Sequence, residues 1–455
     1  MDAGAVYLDP EGLGQALIFP YYTVRSAAGN PFNTYVSVIN HEATTKALRV
    51  RFREGKNGRE VAAFNLFLSP FDAWTGSLVP TADGAKVITT DHSCTNPPFS
   101  GSGGLRELVF SGASYSGANA DGMGEGGDRL REGYLEVIEM ATLSGVGANA
   151  VTHGDSGIPQ NCAVVQNVSF VPAVEPPTGG VSGSATLINV TNGMDFTYNA
   201  EALVELTTQP FYRNYTDPYP DWNAAEVTPV SYFASDGKLY RFAWTRGVDA
   251  VSSVLMRTTV ENEFLLDAAT RSETAWILTF PTRRFYASAT AFAPPFTAPA
   301  QSNGICEQFA LTGHGREEQT QTVAATDFSA GVPHSACWAA SVLTMRRNDS
   351  TVQRIDSANS LPTFPPSFPN GWMTLTFNAG TGQNPGLRSL PNSWSRDLDG
   401  ANFEPGIYEL HGLPVVGFMA RTFENGTLSC GATACQGNYG GSFPHRVRRS
   451  VTRAP

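Results

Sequence analysis

Gly154-Asp-Ser-Gly157 is a run of the kind that frames a serine protease nucleophile, and Asp91-His-Ser-Cys94 could supply a histidine. A serine nucleophile needs a histidine base and a carboxylate that orients it. The context argues against that chemistry. Ile158-Pro159 follow where such an enzyme has Gly-Pro, and the interval from His92 to Ser156 is too short for its two barrels. A glycine-rich turn in which Asp155 bonds its own backbone is the simpler account.

Oxygen ligands gather twice. Asn119, Asp121, Glu125 and Asp128 lie in one glycine-rich stretch, and Asp397, Asp399, Asn402 and Glu404 surround Gly400. Calcium takes roughly six to eight such oxygens, so it could sit at either cluster. Neither has the spacing of an EF-hand loop, and Asx-rich turns produce the same composition without an ion. The histidines, at 41, 92, 153, 314, 334, 411 and 445, form no HxH or HExxH pair, and no other cofactor is expected.

Tyr212, Tyr215, Tyr219 and Trp222 cluster in Gln209-Pro-Phe-Tyr-Arg-Asn-Tyr-Thr-Asp-Pro-Tyr-Pro-Asp-Trp222. Aromatic faces stack on sugar rings and carboxylates take hydroxyls, so this loop is a candidate glycan platform. Its plainer role is a loop anchored by its rings. Asp217, Asp221 and Glu226 offer carboxylates, but a glycosidase pair is defined by separation in space.

The six cysteines are Cys94, Cys162, Cys306, Cys337, Cys430 and Cys435. None stands in a zinc or redox spacing, so three disulfides in an exported protein are expected. Many connectivities are open; pairing each cysteine with its sequence neighbour is the expectation.

The elements that must position these groups read as strands. Asn33-Thr-Tyr-Val-Ser-Val-Ile-Asn40, Lys46-Ala-Leu-Arg-Val-Arg-Phe-Arg-Glu54 and Phe64-Asn-Leu-Phe-Leu-Ser-Pro-Phe71 repeat apolar residues at every second position, the period of a strand with one buried face. Leu48, Val50 and Phe52 alternate with Arg49, Arg51 and Arg53. Gly133 to Met140 and Ser252 to Thr259 also read as strands, and Asn199 to Leu206 as one of few helical stretches. The fold class expected is all-β: two or more antiparallel sandwiches, Ig-like or jelly-roll-like, with long loops and few short helices. Pro172-Ala-Val-Glu-Pro-Pro-Thr-Gly-Gly180 suggests a boundary. The expected domains are 1–175, with a glycine-rich loop at about 95–128, and 176–455, as one β-rich domain or two sandwiches divided near 300.

A net charge of −11 with only 16% charged residues argues against a nucleic-acid partner. A 41% hydrophobic content, with 27 Phe and 15 Tyr, is enough for a core and argues against disorder. No segment approaches the ~20 apolar residues of a membrane helix. The first residues show neither a basic nor an apolar leader region and read as a mature end.

Leu17-Ile-Phe-Pro-Tyr-Tyr-Thr23, Val50-Arg-Phe-Arg-Glu-Gly55, Arg131-Glu-Gly-Tyr134, Trp276-Ile-Leu-Thr-Phe-Pro-Thr-Arg283 and Gly412-Leu-Pro-Val-Val-Gly417 resemble an uncharacterised family of exported proteins from Gram-negative proteobacteria. The resemblance spans most of the chain. It implies an extracellular or cell-surface, β-rich protein and transfers no functional residue. The expected function is structural. The protein would associate with copies of itself as a filament, sheath or surface array, with Ala16, Leu17, Ile18 and Phe19 donated to a neighbour's sheet edge. The alternative is an extracellular carbohydrate-binding or carbohydrate-active protein that uses the Tyr212–Trp222 loop on a cell-surface glycan.

Overall fold

Ala16–Thr23 is apolar without a break, and a strand of that kind must bury both faces. In the computed structural model all eight of its residues are buried. The structure describes residues 4–27, 29–101, 104–223, 229–288, 291–298, 306–323, 335–347, 355–361, 366–377, 386–431 and 433–454. Among them the chain is all-β, with many antiparallel sheets and three short α-helices. No helix among the described residues is long and apolar enough to cross a membrane.

The largest sheet begins with Cys94–Asn96, Glu60–Leu68, Thr45–Glu54, Glu132–Ser144, Ala16–Thr23 and Glu201–Val204. It continues through Ala5–Leu8 into Val230–Ser235, Lys238–Ala243, Ser393–Asp397 and Glu404–Gly406. A second sheet runs Arg106–Val109, Gly84–Thr89, Ala73–Thr81, Asn33–Asn40, Val181–Asn189, Met194–Asn199. The two face each other across one core, in which Leu17, Phe19, Val50 and Phe52 meet Val36, Val38, Trp74 and Leu187.

The strand donor expected at Ala16–Phe19 is therefore an internal strand. Glu132–Ser144 pairs with one edge of it and Glu201–Val204 with the other. Pro20, which has no N–H for a ladder, is accommodated at a bulge. Tyr22 faces Gly133 and Phe19 faces Leu135, so Pro20 and Tyr21 together oppose Tyr134 alone. The Pro20 carbonyl accepts the Thr279 hydroxyl at 2.5 Å, tying this strand to the C-terminal half.

The boundary expected at 175/176 is not a boundary between sheets. Val181–Asn189 pairs with Asn33–Asn40, and Glu201–Val204 with Ala16–Thr23. The Pro/Gly run is a turn within the fold: Ala173–Glu175 pairs with Thr142–Ser144, and the Gly179 N–H donates to Glu139 Oε2 at 2.8 Å. Nor do the sheets divide near 300, because Thr259–Leu265 and Glu307–Gly315 both pair with Asn370–Phe377. One core cluster joins Val6, Ala16 and Ile18 to Trp276, Leu343 and Leu375.

Two local readings are corrected. Glu201–Val204 is a strand, because the open edge beside Ala16–Ile18 outweighs the helical preference of Glu-Ala-Leu. Gly247–Leu255 is a helix, buried at all nine positions, where a strand was expected from 252. Its polar residues Asp249, Ser252 and Ser253 do fall at helical spacing, but they face Tyr286, Thr282 and Ser231 rather than water. The disulfides pair as sequence neighbours: Cys94 with Cys162, Cys306 with Cys337, Cys430 with Cys435.

Candidate functional site

The alternation in Thr45–Glu54 implies one wet face, yet all ten residues are buried. The arginine face is covered by the loop that carries the aromatic cluster. Arg49 donates Nε to Asn65 Oδ1 at 2.7 Å and Nη1 to the Asp217 carbonyl at 2.8 Å. Its Nη2 reaches the carbonyls of Arg213 and Asn214. Arg51 donates to the carbonyls of Pro218 and Pro220 and pairs with Glu60 at 2.8 Å. The loop thus spends its carbonyls on two guanidiniums. Burial, then the neighbouring Arg51, lowers Arg49 to about 9; burial, then Arg53, lowers Arg51 to about 10.

The next pair of groups is ionic. Glu136 accepts Arg53 Nε at 2.5 Å, Arg284 Nη1 at 2.7 Å and Trp222 Nε1 at 2.8 Å. Burial alone would raise the Glu136 carboxyl, but Arg284 and Arg53 outweigh it and hold it below the usual range. Glu139 accepts Lys46 at 3.0 Å, and there burial wins and pushes the carboxyl up. Glu132 accepts the hydroxyls of Tyr21 and Ser357 and the Ala358 N–H, each at 2.7 Å. Burial raises it as well.

Outside this layer opens a cleft of about 740 Å³. Arg53, Arg59 and Arg284 line it together with Glu60, Asp121 and Asp217. Asp221, Asn57 and the half-buried ring of Phe285 complete the walls. Asp121 is gripped by Arg129 at 2.7 and 2.9 Å and by Asn57 at 2.9 Å. Those bonds outweigh its burial and hold it down at about 2, so it is a hydrogen-bond acceptor. Asp217 and Asp221 each accept one backbone N–H, from Tyr219 and Asn223, at one oxygen. With donors and acceptors of both signs around an apolar ring, the cleft is suited to an uncharged polyhydroxylated ligand.

The expected glycan platform is not assembled as a platform. Trp222 is fully buried, its ring in the core and its N–H on Glu136. Tyr212 packs on Phe67, while Tyr219 is exposed. What the aromatic loop contributes to the cleft is Thr216, Asp217, Pro218 and Asp221. Glu226 and His334 lie outside the described residues.

The first oxygen cluster is drawn apart by partners: Asp128 bonds Arg25 at 2.8 Å, Glu125 accepts the Gly117 N–H, and Asn119 donates to the Ala113 carbonyl. In the second, Asn402 donates to Asp397 at 2.6 Å, Asp399 accepts the Ala401 N–H and Glu404 faces Lys238 at 3.5 Å. No three acidic, histidine or cysteine groups among the described residues are placed to hold a metal ion.

Gly154–Gly157 is an exposed turn closed by the Gly157 N–H on the Gly154 carbonyl. His153 meets Ser69 Oγ at 2.9 Å and Asp72 Oδ2 at 3.3 Å. Both contacts fall on Nδ1, whereas a proton relay needs both ring nitrogens.

Sequence reasoning did not foresee Arg53, Arg59, Glu60, Arg284 and Phe285 at one cleft. A signal was present: arginines at alternate positions of one strand, and Glu136 and Glu139 inside an otherwise apolar strand. Opposite charges in two apolar strands mark a pair that shares a buried face. Compared with known proteins, the chain matches no family model, no curated protein and no solved structure.

Proposed function

We propose that the protein is an extracellular carbohydrate-binding protein whose ligand occupies the cleft between Asp217, Asp221, Arg59 and Phe285. The observation that carries this reading is the cleft's wall, in which carboxylates, guanidiniums, an amide and a ring surround about 740 Å³. Sugars present donors, acceptors and apolar C–H faces together, and such a wall answers all three. Three disulfides support an oxidising compartment. The test is a glycan array followed by calorimetry on the best ligand. Asp221→Asn and Phe285→Ala should each weaken binding at least tenfold while circular dichroism stays unchanged. No binding across the array, or binding indifferent to both substitutions, rejects the reading.

Self-association keeps one supporting observation, now at a different place. Val146, Val168 and Val171 are exposed to 67%, 69% and 87% on neighbouring elements, where the Gly145–Val151 helix lies against Phe170. Apolar side chains left out together mark contact surfaces. Light scattering should show higher-order particles that revert to monomers in Val168→Asp/Val171→Asp. A wild-type monomer at every concentration rejects it.

A further inference from the structure

The buried Gly247–Leu255 helix ends on a pair of carbonyls that hold two arginines. Arg257 donates Nη1 to the Val254 and Met256 carbonyls, both at 2.9 Å. Arg449 donates Nη2 to the same Val254 carbonyl at 2.6 Å and Nε to that of Met256 at 3.2 Å. Its plane lies over the Phe233 ring, 5.1 Å from the centroid. A helix C-terminus favours one cation. It does not account for two guanidiniums on the same two oxygens.

Neither arginine has a carboxylate within ion-pair distance among the described residues. Glu201 is the one acidic group whose field reaches them, and it forms no ion pair with either. Burial, then the Arg257 charge, drives Arg449 down to about 8. Burial lowers Arg257 to about 10. Guanidinium surrenders its proton so reluctantly that such a pair is better relieved by a counter-ion than by deprotonation.

The two arginines line a cavity of about 350 Å³ whose other walls include Tyr7, Tyr232, Phe233 and Leu239. That volume is at the small end of ligand sites, and its combination is two cations beside aromatic and aliphatic surface. We propose that this cavity binds a small carboxylate with an aromatic or aliphatic body, the carboxylate on Arg257 and Arg449 and the body against Tyr232 and Phe233. The carboxylate belongs to a free organic acid or to the C-terminus of a peptide chain. A guanidinium fork matches a carboxylate's two oxygens, and the ring walls offer the body an apolar seat.

The whole chain is titrated calorimetrically with phenylacetate, with its neutral analogue phenylacetamide, and with N-acetylglycylphenylalanine as a chain end. Phenylacetate should bind at least tenfold more tightly than phenylacetamide. Arg449→Gln, at the more accessible arginine, should erase that preference, and Arg449→Lys should restore only part of it. The dipeptide binding more tightly than phenylacetate identifies a chain end; weaker binding identifies a free acid. The proposal is overturned if acid and amide bind equally, if neither binds at millimolar concentration, or if Arg449→Gln keeps the preference. Arg257 is only 6% exposed and its loss would disturb folding, so the test rests on Arg449.

Discussion

A guanidinium leaves water at tolerable cost only where other oxygens replace that water. Arg49 shows the neutral solution, a collar of backbone carbonyls, and Arg53 the ionic one, a shared carboxylate. The two should fail differently. Glu136→Gln leaves Arg53 and Arg284 buried around a neutral amide, and should cost about 3–5 kcal/mol in urea denaturation. Trp222→Phe removes a single N–H bond to Glu136 and should cost roughly 1–3 kcal/mol. His445 packs at a tilt against Trp276, accepts at Nδ1 from the Asn262 amide and donates Nε2–H to the Ile277 carbonyl. Burial lowers it to about 4, below its unfolded value of 6.5. Between those values the unfolded chain binds the extra proton, so stability falls as pH drops from 6.5 towards 4. The slope cannot exceed about 1.4 kcal/mol per pH unit. His445→Phe should flatten it, as read from denaturation midpoints across that range.

At the scale of elements, close backbone approach decides which strands can neighbour one another. Gly133 faces Tyr22 beside the Pro20 bulge, and a β-carbon there would overlap the Arg53 carbonyl on the adjacent strand. Gly133→Ala must therefore part Thr45–Glu54 from Glu132–Ser144, and little soluble protein should be recovered. The disulfides act unequally. Cys94–Cys162 spans 68 residues and Cys430–Cys435 spans 5. Chain-entropy arguments give roughly 4 kcal/mol for the first and roughly 2 kcal/mol for the second. Replacing Cys94 and Cys162 by alanine should lower the thermal midpoint clearly further than replacing Cys430 and Cys435. Equal losses would mean that native packing rather than loop closure sets their contribution.

For the whole molecule, one strand belongs to two cores. Leu17 and Phe19 pack into the N-terminal sandwich, whereas Ala16 and Ile18 pack with Trp276, Phe309 and Leu375. Removing residues 1–24 should therefore abolish cooperative unfolding altogether. A folded, soluble truncation that merely failed to assemble would support the donor-strand reading and contradict the sheet order. The sheets offer no separable halves, so fragments cut near 175 or near 300 should be unfolded when expressed alone.

The sequence by itself determined the all-β class and the positions of most strands. Alternation and turn residues act over a few neighbours, so those features need no knowledge of distant chain. Only the tertiary structure decided that the arginine face is dry, that Trp222 points inward and that Ala16–Phe19 has both edges occupied. Each outcome depends on a partner remote in sequence, as when Arg49 bonds the Tyr215 carbonyl 166 residues away. A period-two pattern specifies that side chains alternate. Whether the polar side meets water or another part of the chain is set by what folds over it.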